Sequence, residues 1–245
     1  MENRVKSLLL AGVGGQGILL ASDIICKVMM DKGYDVKKSE VHGMAQRGGC
    51  VTSHVRYGEK VYSPLARKGD VDMIVSFEKL ESLRYLDYLK TGGIILVNDE
   101  EIYPPSVNLG EADYPKEVYE SLRSQLGPDN VKVIAGPELA AKAGNRRAVN
   151  TVMLGVISRF IPEISAEDWK KILRSVLPEK IVQANLKAFD LGRAASSIVG
   201  RAEGSQPIDA ERLRTYLKAE NNCLRPAAWS RVSEHNRNSK ETLSF

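Results

Sequence analysis

Residues that build cofactor centres are scarce in this chain. Its three cysteines, Cys26, Cys50 and Cys223, lie far apart, with no CxxC pair and no zinc-ligand spacing. That pattern indicates neither a disulfide framework nor a local metal site, and it argues against an iron-sulfur cluster carried by this chain alone. Histidine is as rare: the three are His42, His54 and His235. No apolar stretch reaches the roughly 20 residues that a membrane-spanning helix needs. Residues 1–5 lead straight into a short apolar run ending in glycine, not into a secretory signal. A strong excess of one charge is missing too: 35 Lys and Arg against 31 Asp and Glu leave a formal net charge of +4. So small and dispersed a charge argues against nucleic acid as a partner, although bases outnumber acids in the last quarter. The expectation is a cytoplasmic protein with no membrane and no nucleic-acid partner.

What is present is ordinary globular material, with 43% hydrophobic and 27% charged residues over 245 positions. That length suits one main domain with a small appendage. Lys6 to Ala11 is an apolar run closed by glycines, the pattern of a strand buried on both faces of a parallel sheet. Leu19 to Met30 has helical spacing, Gly33 stops it, and Tyr34 to Glu40 reads as a second strand of a β-α-β unit. Cys50 to Tyr57 alternates and is expected to be half-exposed. A turn at Gly58-Glu59 then leads into Lys60 to Ser63, predicting a hairpin with an antiparallel strand. Val71 to Ser76 and Gly93 to Asn98 are further strands flanking an amphipathic helix over Lys79 to Leu89.

Ile102 to Tyr114, rich in proline and turn residues, reads as a surface excursion. A helix over Lys116 to Leu126 and a last strand over Val131 to Ala135 follow. Three helices are then predicted, over Asn150 to Phe160, Ala166 to Val176 and Lys180 to Val199, separated by Pro162 and Pro178. The fold class is α/β: a three-layer α/β/α domain with a mostly parallel sheet, an antiparallel hairpin and a helical C-terminal third. The domain is expected over residues 1–200, and 201–245 forms a polar, Arg-rich tail or arm with one helix over Asp209 to Glu220.

Two glycine-rich segments carry the chemistry. Gly12, Gly14 and Gly17 match G-x-G-x-x-G between a strand and a helix, with Gly15 and Gln16 inside the turn. Glu40, at the end of the second strand, stands about where a ribose-binding carboxylate belongs. This reads either as a nucleotide fingerprint or as close helix-strand packing that leaves a helix N-terminus open to any anion. The second segment, His42-Gly43-Met44-Ala45-Gln46-Arg47-Gly48-Gly49, does not belong to a dinucleotide fold. Glycines around Arg47 let a guanidinium reach a carboxylate, a phosphate or a partner's backbone; the alternative is a tight turn holding a structural ion pair. His42 is a candidate acid or base near neutral pH, or a hydrogen-bonded loop residue. Gly69-Asp70 with Asn98 resembles a metal-diphosphate motif, but Val71 stands where glycine is needed, so this reading is rejected.

Taken together, Gly12 to Gly17, Ser39 to Gly49 and Tyr62-Ser63-Pro64 resemble the small, gamma-type subunit of the 2-oxoacid:ferredoxin oxidoreductases, in particular the indolepyruvate branch. Asp72 to Glu81, Asn150 to Gly155 and Asn185 to Gly192 extend the resemblance over roughly residues 5–195. It implies an enzyme active only as a complex, in which a large alpha subunit carries thiamine diphosphate, Mg and iron-sulfur clusters and this chain holds no cofactor alone. The implied reaction is oxidative decarboxylation of an arylpyruvate: carbon dioxide leaves, two electrons pass singly to ferredoxin, and the acyl group goes to coenzyme A. Both glycine-rich loops, with Gln46, Arg47, Gly48 and Gly49, are then expected at the carboxyl edge of the sheet, near the subunit interface. The alternatives are a free-standing NAD- or flavin-binding oxidoreductase and a regulatory scaffold subunit.

Overall fold

Alternation with period two sets the centre of the molecule. In β1 (Lys6–Val13), Leu8 and Leu10 enter one core and Leu9 and Ala11 the other, all essentially without solvent contact. The computed structural model describes residues 5–42, 49–110 and 113–195. Its sheet has six strands in the order β2-β3-β1-β4-β5-β6, with β2 at Asp35–His42, β3 at Cys50–Gly58, β4 at Val71–Ser76, β5 at Leu89–Asn98 and β6 at Val131–Ile134. Strands β1, β4, β5 and β6 run parallel, and β3 is antiparallel to both its neighbours.

Helices α1 (Ile18–Asp31), α6 (Val149–Arg159), α7 (Ala166–Val176) and α8 (Glu179–Ala194) cover one face. The other face is closed by α2 (Glu81–Arg84), α4 (Val118–Leu126) and the turn at Leu86–Tyr88. Helices α3 (Pro105–Asn108) and α5 (Gly136–Lys142) lie in the connections after β5 and β6. The arrangement is the expected three-layer α/β domain. Within it α6 and α8 approach until backbones touch: a Cβ on Gly155 would lie 2.1 Å from the Phe189 carbonyl, and one on Gly192 would lie 2.0 Å from that of Val152.

Four local expectations are corrected. Strand β3 is not half-exposed: Thr52, Ser53 and His54 are buried, because β3 sits between β2 and β1 and Tyr88 packs edge-on to His54 at 5.6 Å. The antiparallel hairpin is β2 with β3; residues 60–63 form no strand, and Arg56 ties this loop down through the Ser63 and Leu65 carbonyls and Asp70. The helix expected over residues 79–89 breaks at Tyr85 (φ −112°, ψ 13°), and β5 already begins at Leu89. Finally, Cys50 is disulfide-bonded. Cys26 on α1 is a free thiol that burial pushes up to about 11. Segment 201–245, with its expected helix, also lies outside the described residues.

Candidate functional site

The carboxyl end of β1 turns into α1 through residues 14–17, and the turn is built around one amide. Gln16 Oε1 accepts from the Val13 N–H at 2.8 Å, while Nε2 donates to the Phe77 carbonyl at 2.7 Å and to Glu100 Oε2 at 3.0 Å. Asn98, ending β5, donates from Nδ2 to the same two oxygens at 2.9 and 3.0 Å. The turn after β1 is thereby locked to the ends of β4 and β5. Gly12 is required for this, since a Cβ there would stand 2.6 Å from Gln16 Oε1 and 2.9 Å from Phe77 Cβ. Gly15 and Gly17 have φ of 99° and 75°, which a side chain would strain. Gly14 and Gly15 are exposed.

The two glycine-rich segments meet here. Antiparallel pairing sets Val13 opposite Cys50, and the Gly14 N–H donates to the Gly49 carbonyl at 3.0 Å. His42 is the last residue of β2, opposite Val51. Gln46, Arg47 and Gly48 lie outside the described residues.

Glu40 is not placed for a ribose. It pairs with Ser53 of β3, which in turn pairs with Leu10 of β1, so an antiparallel strand separates it from the turn. Two strand spacings put it about 10 Å away laterally. Its carboxylate instead joins Lys38, which also holds Asp23 on α1. The rejected metal-diphosphate pair is likewise split: Gly69 precedes β4 and Asn98 ends β5, which a six-residue strand separates by about 20 Å. Asp70 binds Arg56 at 3.1 Å. Among the described residues no group of three or more His, Cys, Asp or Glu converges as a metal site.

Beside the turn, Glu78 is a latch. Only 1% exposed, its carboxylate accepts from Tyr114 Oη at 2.6 Å, the Glu81 N–H at 2.9 Å and the Ile102 N–H at 3.2 Å. These bonds hold the excursion after β5 against the end of β4. Burial pushes the Glu78 acid up, while the three donors pull the other way. Lys79 binds Glu101 at 2.7 Å and lies over the Tyr119 ring.

Residue-by-residue reading missed Glu100 and gave Asn150 no role. The signal for Glu100 was positional: it follows the carboxyl end of a parallel strand, where ligands of α/β sheets gather. Asn150 sits against Gly17, with Nδ2 2.7 Å from the place a Cβ would occupy.

Known proteins share this architecture. The sequence pattern described as Pyruvate ferredoxin/flavodoxin oxidoreductase matches residues 7–195. Indolepyruvate oxidoreductase subunit IorB of Pyrococcus horikoshii is 40% identical over 196 residues, spanning 78% of this chain and 95% of its own. The subunit of the same name from Thermococcus kodakarensis is 38% identical over 79% of this chain and 98% of its own. Among solved structures, the keto/oxoacid ferredoxin oxidoreductase gamma subunit of Geobacter sulfurreducens has a TM-score of 0.58 at 22% identity, over 79% of this chain and 99% of its own. The 2-oxoglutarate:ferredoxin oxidoreductase of Magnetococcus marinus, solved with 2-oxoglutarate, coenzyme A and succinyl-CoA, has a TM-score of 0.59 at 25% identity; the match covers 79% of this chain and 31% of that one. No helix among the described residues is long and apolar enough to cross a membrane.

Proposed function

Because the chain belongs to the pyruvate ferredoxin/flavodoxin oxidoreductase family, we propose that it is the small subunit of a cytoplasmic arylpyruvate:ferredoxin oxidoreductase, with indolepyruvate as the leading substrate. The observation that carries this reading is near end-to-end similarity to subunits named for indolepyruvate, at 40% identity over 95% of the relative's length. Thiamine diphosphate, Mg and iron-sulfur clusters belong to the large subunit, which supplies decarboxylation and single-electron transfer to ferredoxin. Coenzyme A takes the acyl group.

This chain's own residues build a docking edge. Gln16, Asn98 and Glu100 hold the turn after β1 at a fixed height above the sheet, and the Gly14–Gly49 bond brings the second glycine-rich segment beside it. Arg47 and His42 contribute from that segment, Arg47 as the positive group facing substrate, coenzyme A or the partner. A free-standing nucleotide enzyme fits less well, because β3 separates Glu40 from the turn.

Co-purification from native extract followed by assay tests this. Recovery of a large subunit bearing thiamine diphosphate and clusters, with indolepyruvate preferred over phenylpyruvate and pyruvate, is expected. Recovery of a partner lacking both, or micromolar NAD(H) or flavin binding by the purified chain, overturns it. In the assembled enzyme, Arg47→Ala should lower turnover or coenzyme A saturation while the subunit keeps its melting temperature.

A further inference from the structure

Cys50 stands where a covalent bond has consequences. It opens β3 directly after Gly49, whose carbonyl accepts the Gly14 N–H, and it pairs with Val13 at the end of β1. It is disulfide-bonded and only 9% exposed. Alternation along β3 puts it on the face of Thr52 and His54, where Tyr88 packs. Cys26 is not the other half of this bond. It is a free thiol on α1, which packs on the opposite face, and burial raises it to about 11, so it is a weak nucleophile near neutrality. The sequence has one further cysteine, Cys223.

Two kinds of pairing remain, with Cys223 of the same chain or between two copies. Bonded cysteines have their Cα atoms within about 7 Å. Joining two Cys50 residues, each almost buried, would press the glycine turns of two molecules into one another. Cys223 is within reach. Helices α6 and α8 run side by side in the same direction, tied by Thr151 to Asn185 and by Ser158 to Arg193, and Arg159 Nη1 donates to the Ala195 carbonyl. Since α6 begins against Gly17, Ala195 lies about one α6 length, roughly 16 Å, from the first glycine turn. About 28 residues lead from there to Cys223 and span up to roughly 90 Å, ample to pass round the sheet to its second face. A tether of this kind gives an effective concentration in the millimolar range, which a second copy does not match.

We propose that Cys50 pairs with Cys223, and that this bond pins the C-terminal segment beside the two glycine-rich turns. The short reach of a disulfide brings Asn222 and Leu224 next to Gly49 and delivers Arg225 to the same edge. Gly14 and Gly15 are exposed, so the pinned segment flanks the first turn and widens the edge without closing it. Disulfides inside cells are mostly redox-controlled, which makes this one a latch. On closing, the two thiols give up two electrons and two protons to a small disulfide such as oxidised glutathione. Its S–S bond breaks as the protein's forms, and it leaves as two thiols; a dithiol reverses the exchange. The consequence for docking rests on the reading of this edge as the functional one, but the bond concerns this chain alone and is tested without the partner.

The full-length chain is equilibrated with excess oxidised glutathione, its free thiols are blocked with N-ethylmaleimide, and it is digested without reduction. One peptide pair joined through Cys50 and Cys223 is expected, with Cys26 blocked. Dithiothreitol should raise the free thiols from one to three. Oxidation should also raise the melting temperature by about 5–10 °C, because the bond closes a loop of about 170 residues in the unfolded chain. Cys223→Ser should abolish both the peptide pair and the rise, while melting like the wild type under dithiothreitol. Recovery of Cys50 as a free thiol, joined to glutathione or joined to a second copy overturns the proposal. So does a melting temperature that oxidation leaves unchanged or lowers, or a rise that survives in Cys223→Ser. None of these outcomes bears on whether a thiamine-bearing partner is recovered, so the two readings fail separately.

Discussion

Replacing Gln16 separates two roles that the first glycine turn could have, a rigid support and a ligand contact. Its amide is fully used inside the protein, by Val13, Phe77 and Glu100. In Gln16→Ala the Phe77 carbonyl and Glu100 keep their bonds from Asn98, so the Val13 N–H is the group left unpaired. The cost should be about 1–3 kcal/mol, read as a lowered urea midpoint. Gln16→Glu should cost more, because a second carboxylate then faces Glu100, and the loss should shrink as pH falls toward the carboxylate range. If Gln16→Ala leaves the midpoint unchanged, the amide does not hold the turn. Sequence reasoning found Gln16 by its place in a glycine motif but not this use of it, since its acceptors lie 61 and 84 residues away.

The α6–α8 contact shows how one atom can govern a whole element. Gly155 and Gly192 let the two helices touch backbone to backbone, and a methyl at either would stand near 2 Å from a carbonyl oxygen. Backbone cannot rotate away as a side chain can, so Gly155→Ala should push the helices apart and cost about 1–3 kcal/mol or more. Gly192→Ala should do the same. The double variant should cost less than the sum, because helices already displaced by one methyl accommodate the second. Denaturation of the three variants checks this, and strict additivity would mean that the two contacts yield independently.

These helices were legible in the sequence because their apolar spacing is regular, and the Ala166 to Val176 helix falls where it was read. Strand β1 was legible from its central apolar run and β4 as a short, largely apolar strand. Strand β3 was not read correctly, because alternation in Thr52, His54 and Arg56 signals a solvent face, and only tertiary packing reveals that Tyr88 packs over His54. The 79–89 segment misled for a related reason: its helical spacing is real, but it serves a four-residue helix and a turn that pack on the second face. The site was legible where it rested on glycines and silent where it rested on Asn150 and Glu100, which meet Gly17 and Gln16 from far along the chain.

At the scale of the whole molecule, two buried groups set opposing responses to pH. Burial, then the Arg56 charge, depresses His54 below its ordinary 6.5, and its Nδ1 has no partner. Once pH falls below 6.5, unfolded chains take up a proton that the folded chain refuses, so stability is lost on acidification until the folded value is reached. Glu78 acts in the reverse direction. Burial raises it above its ordinary 4.5, so above that pH unfolded chains release a proton that the folded chain retains, and stability is lost as pH rises to the folded value. Between the two ordinary values the slopes have opposite sign, and their sum shapes the profile.

His54→Phe keeps an aromatic ring against Tyr88 and removes the unpartnered nitrogen. It should raise stability near neutrality and erase the loss between about pH 6.5 and the acid limb. Glu78→Gln should lower absolute stability, since an amide cannot accept all three donors, yet it should flatten the decline on the rising side. Urea midpoints of the wild type, both variants and the double variant, taken from about pH 4.5 to about pH 7, check slope and level separately. A His54→Phe profile parallel to the wild type would show that His54 takes up its proton in the folded chain as readily as in the unfolded one.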